Sequence, residues 1–200
     1  MSKLLSRRFS QVAQYENVLY TLRGADGRLK PLFQEYVWTQ FAIKKGWLSP
    51  HWINAWFGPL VSPFLGRWVT EKRVRNLVTT VGKALVAGRL NASGAPAAAT
   101  YIAVGTGATA ANAADTTLGT ETSTSGLARV AATASLVTTT TTNDTAQLTT
   151  TFSVSGTVAV TESGVLNAAS SGTLLCRQVF SAINVVSGDS LAITWKIAMS

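Results

Sequence analysis

Near the C-terminus the apolar residues alternate strictly: Leu191, Ile193, Trp195 and Ile197 take one parity, and Ala192, Thr194 and Lys196 take the other. A period of two places the first set on one face of a strand, and that face needs a covering layer. The preceding stretch, about Thr173 to Ile183, carries Leu174, Cys176, Phe180 and Ile183, and Ser187-Gly188-Asp189-Ser190 supplies the Gly and Asp of a chain reversal. Gly172 to Ser200 therefore reads as a β-hairpin. A hairpin alone is marginal in water, so the rest of the chain must supply the facing layer.

Further strands are expected at Tyr101 to Val104, Ala128 to Thr138, Gln147 to Val154, and Val158 to Val160 followed by Val165 to Ala168 around Glu162 and Gly164. Turn signals separate them at Thr142-Asn143-Asp144, Ser155-Gly156, Ser163-Gly164 and Ser170-Ser171-Gly172. Six or seven short strands at this spacing, with no helical period, predict an antiparallel β-sandwich or barrel over residues 100–200. Ala108 to Ser125 is mostly small residues with little to bury, which predicts a long surface loop.

Before Asn91 the periodicity changes. Phe33, Tyr36, Val37 and Phe41 fit a helical stripe within Leu32 to Lys45, behind Pro31 and ahead of Gly46. Leu77 to Leu90 predicts a short helix with the stripe Val81, Leu85 and Val86, a cap at Thr79 or Thr80, and a stop at Gly88 with Asn91. Two readings stand for the N-terminus: a helix or arm over residues 1–22, or a hairpin of Val18 to Leu22 with Leu29 to Phe33 about Gly24-Ala25-Asp26-Gly27-Arg28. The small-residue stretch 91–99 reads as a linker. The expected class is α+β overall, a mixed, partly helical module over residues 1–90 preceding the mainly-β half.

Charge and aromatic content sharpen that division. Residues 1–90 hold 14 Lys+Arg against 4 Asp+Glu, a balance of +10, whereas residues 91–200 hold 3 against 5, a balance of −2. Five of the six Trp lie between Trp38 and Trp68. The N-terminus has no continuous apolar run of a secretory signal. Gly46 to Gly66 lacks charge and is long enough to approach a membrane span, but Pro50, Pro59, Pro63 and Gly58 would break a helix repeatedly, so spanning is not expected. The single Cys176 forbids an internal disulfide and reads as a small buried hydrophobe.

Candidate chemistry is sparse. Gly105-Thr-Gly107-Ala-Thr-Ala110 follows a strand in the form of a dinucleotide-binding turn, but no amphipathic helix or βαβ unit follows it, so nucleotide binding is not expected. His51 is the only histidine and has no nucleophile motif beside it, and one His with one Cys cannot fill a zinc site. Asp115, Glu121, Asp144, Glu162 and Asp189 mostly fall at turn signals, where such side chains cap the backbone. No enzyme activity, cofactor or metal is expected. Arg7, Arg8, Lys44, Lys45, Lys72, Arg73, Arg75 and Lys83 could meet phosphates, yet no nucleic-acid module signature accompanies them, and docking onto a protein is favoured over specific nucleic-acid binding. The candidate interface is Trp38, Trp47, Trp52, Trp56 and Trp68 with Arg73 and Arg75.

Residues Tyr101 to Glu121, Gly126 to Arg129, Asn143-Asp144, Val160 to Gly164, Asn167 to Ser170, Gly172 to Arg177 with Phe180, and Gly188 to Leu191 with Ile193 to Trp195 form a spaced pattern of Gly, Glu, Arg and Trp. It resembles the β-structured modules of tailed-bacteriophage virion proteins, of the tail, baseplate or fibre type. The likeness covers about residues 77–200. It implies a non-enzymatic virion component, assembled in the bacterial host cytoplasm, with other virion proteins as partners and self-association as a trimer or ring. Capsid decoration and a lectin-like, glycan-binding module are the alternative readings.

Overall fold

The computed structural model describes residues 18–50 and 64–199. The expectations for residues 1–17, and the candidates His51, Trp52 and Trp56, lie outside the described residues. The described chain is mostly β, with antiparallel sheets and two helices.

The larger sheet has six strands. Its centre is β13 (Ser190–Ala198), paired along its length with β10 (Thr145–Ser153) on one side and β1 (Val18–Arg23) on the other. β9 (Thr133–Val137) extends it beyond β10, while β2 (Leu29–Lys30) and β5 (Lys72–Val74) both pair with β1. The second sheet runs in the order β6 (Leu77–Val78), β12 (Leu174–Val185), β11 (Val158–Leu166), β7 (Tyr101–Gly105) and β8 (Val130–Ala131). A third, two-stranded sheet joins β3 (Leu32–Glu35) to β4 (Gly66–Val69). The helices are α1 (Val37–Lys44) and α2 (Thr80–Asn91).

Side chains of the two large sheets share one core. Val18, Tyr20, Leu148, Leu191, Ile193 and Trp195 from the first sheet join Ile102, Val160, Cys176, Phe180 and Ile183 from the second. The alternation of β13 is realised in full, with Leu191, Ile193, Trp195 and Ile197 buried and the intervening residues only partly so. Burial pushes the Cys176 thiol well above its ordinary pKa, leaving it an inert packing group.

Gly172 to Ser200 is not a hairpin, because β12 and β13 belong to different sheets. Both strands carry a strongly buried face. Pairing them edge to edge would turn both faces the same way and leave them in need of a common cover, whereas crossing between sheets lets Trp195 and Phe180 contribute to one core. The crossing turn is held at Asp189, whose carboxylate accepts from the Val186 amide at 3.0 Å and from Lys30 Nζ at 2.6 Å; Gly188 takes the positive φ of 90° that the reversal demands.

Four further expectations change. The linker 91–99 does not separate two cores: β1 and β5 complete the sheet of β13, β6 extends the sheet of β12, and Val18, Tyr20 and Val74 lie in the shared core. The aromatic stripe from Phe33 to Phe41 is a strand and then a helix, with Leu32 to Glu35 in β3 and only Val37 to Lys44 helical. The predicted helix at Leu77 to Leu90 likewise begins as strand β6; Thr79 then caps α2 by accepting from the Gly82 amide at 2.9 Å, and Ala92 ends it in the left-handed region. Finally, β11 runs unbroken through Glu162 and Gly164, where a turn was expected, with a bulge between Val160 and Glu162. The hairpin reading of Val18 to Leu22 with Leu29 to Phe33 matches the observed β1–β2 pairing at Leu22–Lys30 and Arg23–Leu29.

Candidate docking surface

α1 divides its residues between a small satellite core and solvent. Ile43 packs with Phe33, Leu48 and Leu65, and Thr39 Oγ1 donates to the Leu65 carbonyl at 2.6 Å, which fixes the helix against the strand β4 that follows. The other face is left open: Val37 is 72 % exposed, Trp38 50 % and Phe41 49 %. Trp47, 72 % exposed, meets Phe41 edge to face at 5.8 Å, and Lys45 Nζ lies 5.7 Å from the Phe41 ring centre. Trp68 on β4 packs edge to face on Phe33 at 5.5 Å and remains half exposed.

The sequence candidates therefore separate. Trp38 and Trp47 share the α1 surface, and Trp68 attaches to the same satellite core through Phe33; among the described residues no ring contact joins Trp68 to the Phe41–Trp47 pair. Arg73 is exposed on β5 and already engaged by Glu71 at 2.7 Å, while Gln34 brackets its backbone with hydrogen bonds of 2.6 and 2.8 Å. Arg75 is exposed and, with Lys44, lines a cavity of about 220 Å³ between α1, residues 74–77 and β12. Large aromatics left in water on a rigid helix face, beside cations and with no acidic residue in the helix, suit an anchoring interface.

Beneath this surface lies an ion pair that the sequence pattern did not reveal. Lys72 and Glu35 are buried, with Lys72 Nζ 2.9 Å from Glu35 Oε1. The ammonium also donates toward Phe33 O at 2.9 Å, Ser181 O at 3.1 Å and Ser181 Oγ at 2.6 Å, and Glu35 Oε1 accepts a short bond from the Ser181 amide. Burial opposes ionisation of Glu35, but the charge of Lys72 and the hydrogen bonds from Ser181 and Lys72 prevail and hold the carboxyl below its ordinary range. Burial lowers the Lys72 ammonium, with Glu35 opposing that shift. The network ties the β3–β4 unit, which carries the aromatic surface, to β12 of the main core. Aromatic rings flank it: Lys72 Nζ sits 5.4 Å from the Phe180 ring centre, and Phe180 packs on Tyr20 at 4.5 Å.

A second buried carboxylate explains the Gly105-Thr-Gly107 motif. Glu162 is buried and accepts from the backbone amides of Gly107 at 3.0 Å, Gly119 at 2.9 Å and Thr120 at 2.6 Å. Arg177 Nε completes its shell at 2.9 Å, while Arg177 Nη1 donates to Asp115 Oδ2 at 2.7 Å and Nη2 to the Thr109 carbonyl at 3.1 Å. A Cβ at Gly107 would collide with the Glu162 carboxylate, so the glycine is required by close approach of an internal anion. The anion cradled by these amides belongs to the protein itself. The loop after β7 is thus pinned at both ends, and Leu118 from it enters a small core with Ala103, Leu166 and Leu174.

Comparison of the chain with protein-family models, with curated proteins and with solved structures found no match. Among the described residues, no helix is long and apolar enough to cross a membrane, and no group of three or more His, Cys, Asp or Glu is placed to hold a metal ion. Glu35, Lys72, Glu162 and Arg177 are the residues that organise the surface and the long loop. In the sequence the Gly-x-Gly turn marked the site of Glu162, which lies 55 residues further along the chain, whereas no local pattern paired Lys72 with Glu35.

Proposed function

We propose that this chain is a non-enzymatic structural subunit of a tailed-phage particle, in the tail, baseplate or fibre assembly. Its α1 surface docks onto neighbouring virion proteins, and its β half, a sandwich of the two large sheets, packs with copies of itself. The observation that supports docking is the solvent-exposed set Val37, Trp38 and Phe41 on a helix whose opposite face is held by a satellite core, with exposed Trp47 just after the helix packed on Phe41. Burying such rings against a partner gains on the order of 25 cal/mol per Å² of apolar area, and solvation of a lone subunit offers no equivalent. The virion assignment draws on the spaced Gly, Glu, Arg and Trp pattern of residues 77–200.

Deleting the N-terminal 75 residues would not test this, because β1 and β5 belong to the main sheet. The decisive variant is Trp38→Ser with Trp47→Ser, introduced into the phage genome. The variant should keep the near-ultraviolet circular dichroism of a folded chain except for the two lost indoles, and should be depleted from purified particles. Incorporation at the wild-type level would overturn the docking reading. Retained incorporation together with loss of binding to a glycan array would favour the lectin-like alternative.

A further inference from the structure

The two edges of the six-stranded sheet are guarded very differently. At one, β2 and the three-residue β5 both pair with β1; β2 is two residues long, lies between Arg28 and Pro31, and carries Lys30 in its ion pair with Asp189, and β5 carries Lys72 and the exposed Arg73. Charge, proline and brevity are the usual protection of an edge. At the other, β9 is five residues long, pairs only with β10 among the described residues, and is exposed at four positions and half-buried at the fifth. No ionisable residue and no proline occurs from Val130 to Asn143.

Beside this edge the core is open. β9 pairs Ala134 with Leu148 and Leu136 with Ala146, so Ala134 and Leu136 share the face of buried Leu148. There they line an apolar groove of about 470 Å³ against α2, with Leu90 85 % exposed and Leu136 64 % exposed. Arg89 is the one ionisable residue of its lining, and its guanidinium is turned to the Pro96 carbonyl at 3.0 Å.

We propose that β9 is a self-association edge, pairing antiparallel with β9 of a second copy about a two-fold axis at Ser135. This rests on the reading of the chain as an oligomeric subunit and names the surface. Charge selects the occupant: the formal charge of +8 comes from residues 1–90, which carry +10, so a second copy avoids like-charge contact by meeting this face, where Arg89 is the one ionisable lining residue among those described and is turned to Pro96. Register makes the contact self-complementary. With Ser135 opposite itself, Ala134 faces Leu136 of the second copy, a small residue against a large one, and the two grooves merge into one apolar surface across the axis. The free backbone groups of each β9 gain partners at the same time.

Sedimentation of the full chain over a dilution series should show a reversible dimer. Leu136→Lys, which places a cation on the groove face, should weaken it by about tenfold or more. Leu29→Lys at the guarded β2 edge should leave it unchanged, and equal thermal midpoints for the two variants exclude misfolding as the cause. Ser135→Cys gives a positive readout: directly opposed residues of an antiparallel pair lie about 4.5 to 5.5 Å apart at Cα, within disulfide reach, so this variant should cross-link on oxidation. Thr139→Cys should not, and native Cys176 is buried. A strict monomer overturns the proposal, whereas particle incorporation of the Trp38 and Trp47 variant separately tests the subunit reading. An oligomer that ignores Leu136→Lys and does not cross-link at position 135 overturns the β9 assignment and leaves self-association standing.

Discussion

Lys72 Nζ stands 2.9 Å from Glu35 Oε1, and neither side chain reaches solvent. The pair joins a strand at the edge of the main sheet to the two-stranded unit beneath the aromatic surface. Removing two charges from water is costly, and attraction between them returns that cost only while both are present. Glu35→Gln or Lys72→Met alone should therefore destabilise the chain by about 3 to 5 kcal/mol, because each leaves an uncompensated buried charge. Replacing both with apolar residues of similar volume should recover most of the loss in urea unfolding. If each single variant costs under about 1 kcal/mol, the pair does not hold the unit in place.

The same carboxyl sets an acid dependence. Glu35 binds its proton more weakly in the folded chain than in the unfolded one, and so does Asp144, whose carboxylate accepts from the amides of Thr141, Thr140 and Thr139. As pH falls, the unfolded chain takes up these protons first. The stability they contribute is present above the ordinary carboxylate range, about pH 4, and is lost as pH drops through their lowered folded values. Urea midpoints should hold nearly steady from about pH 7 to pH 5 and fall steeply below about pH 4. A midpoint that stays flat into strong acid would contradict the depressed folded values.

Trp195 is buried at the centre of the larger sheet, opposite Val18 on one side and Leu148 on the other. Trp195→Ala should cost about 3 to 5 kcal/mol, combining lost burial with an unfilled cavity. Its indole Nε1 has no hydrogen-bond partner among the described residues, so Trp195→Phe removes that donor along with some volume. The Phe variant should lie much closer to wild type than the Ala variant. Equal losses from the two would show that the indole nitrogen is satisfied.

Glu162 anchors the long loop through three backbone amides and Arg177. Glu162→Gln keeps the shape but turns an amide N–H₂ toward groups that are all donors. Amide exchange at Gly107, Gly119 and Thr120 should then accelerate by at least about tenfold relative to Leu191 and Ile193, reporting local opening that leaves the core closed. Protection unchanged at those three amides would remove the carboxylate from its anchoring role.

The strands were legible where a single face is buried. The alternation of Leu191, Ile193, Trp195 and Ile197 carries its own phase, since a one-residue slip would expose the entire set. The Thr79 cap and the positions of most C-terminal strands were equally local, because capping and turn chemistry act over a few residues. Partnership was not local. Whether β12 pairs with β13 or crosses to another sheet depends on where each buried face finds its cover, and the alternation is identical in both cases. The unity of the core was hidden for the same reason: composition divides the chain near residue 91, whereas β1 reaches β13 across 167 residues or more of sequence. Glu162 looked like a turn residue because its partners, the amides of Gly107, Gly119 and Thr120, are set by the folded loop. Lys72 reads in the sequence as one of several cations open to a partner; folding brings it to Glu35, 37 residues away in the chain. Periodicity by itself determined which faces must be buried; only the tertiary structure decided what buries them, because hydrophobic burial is non-directional and many pairings satisfy one pattern.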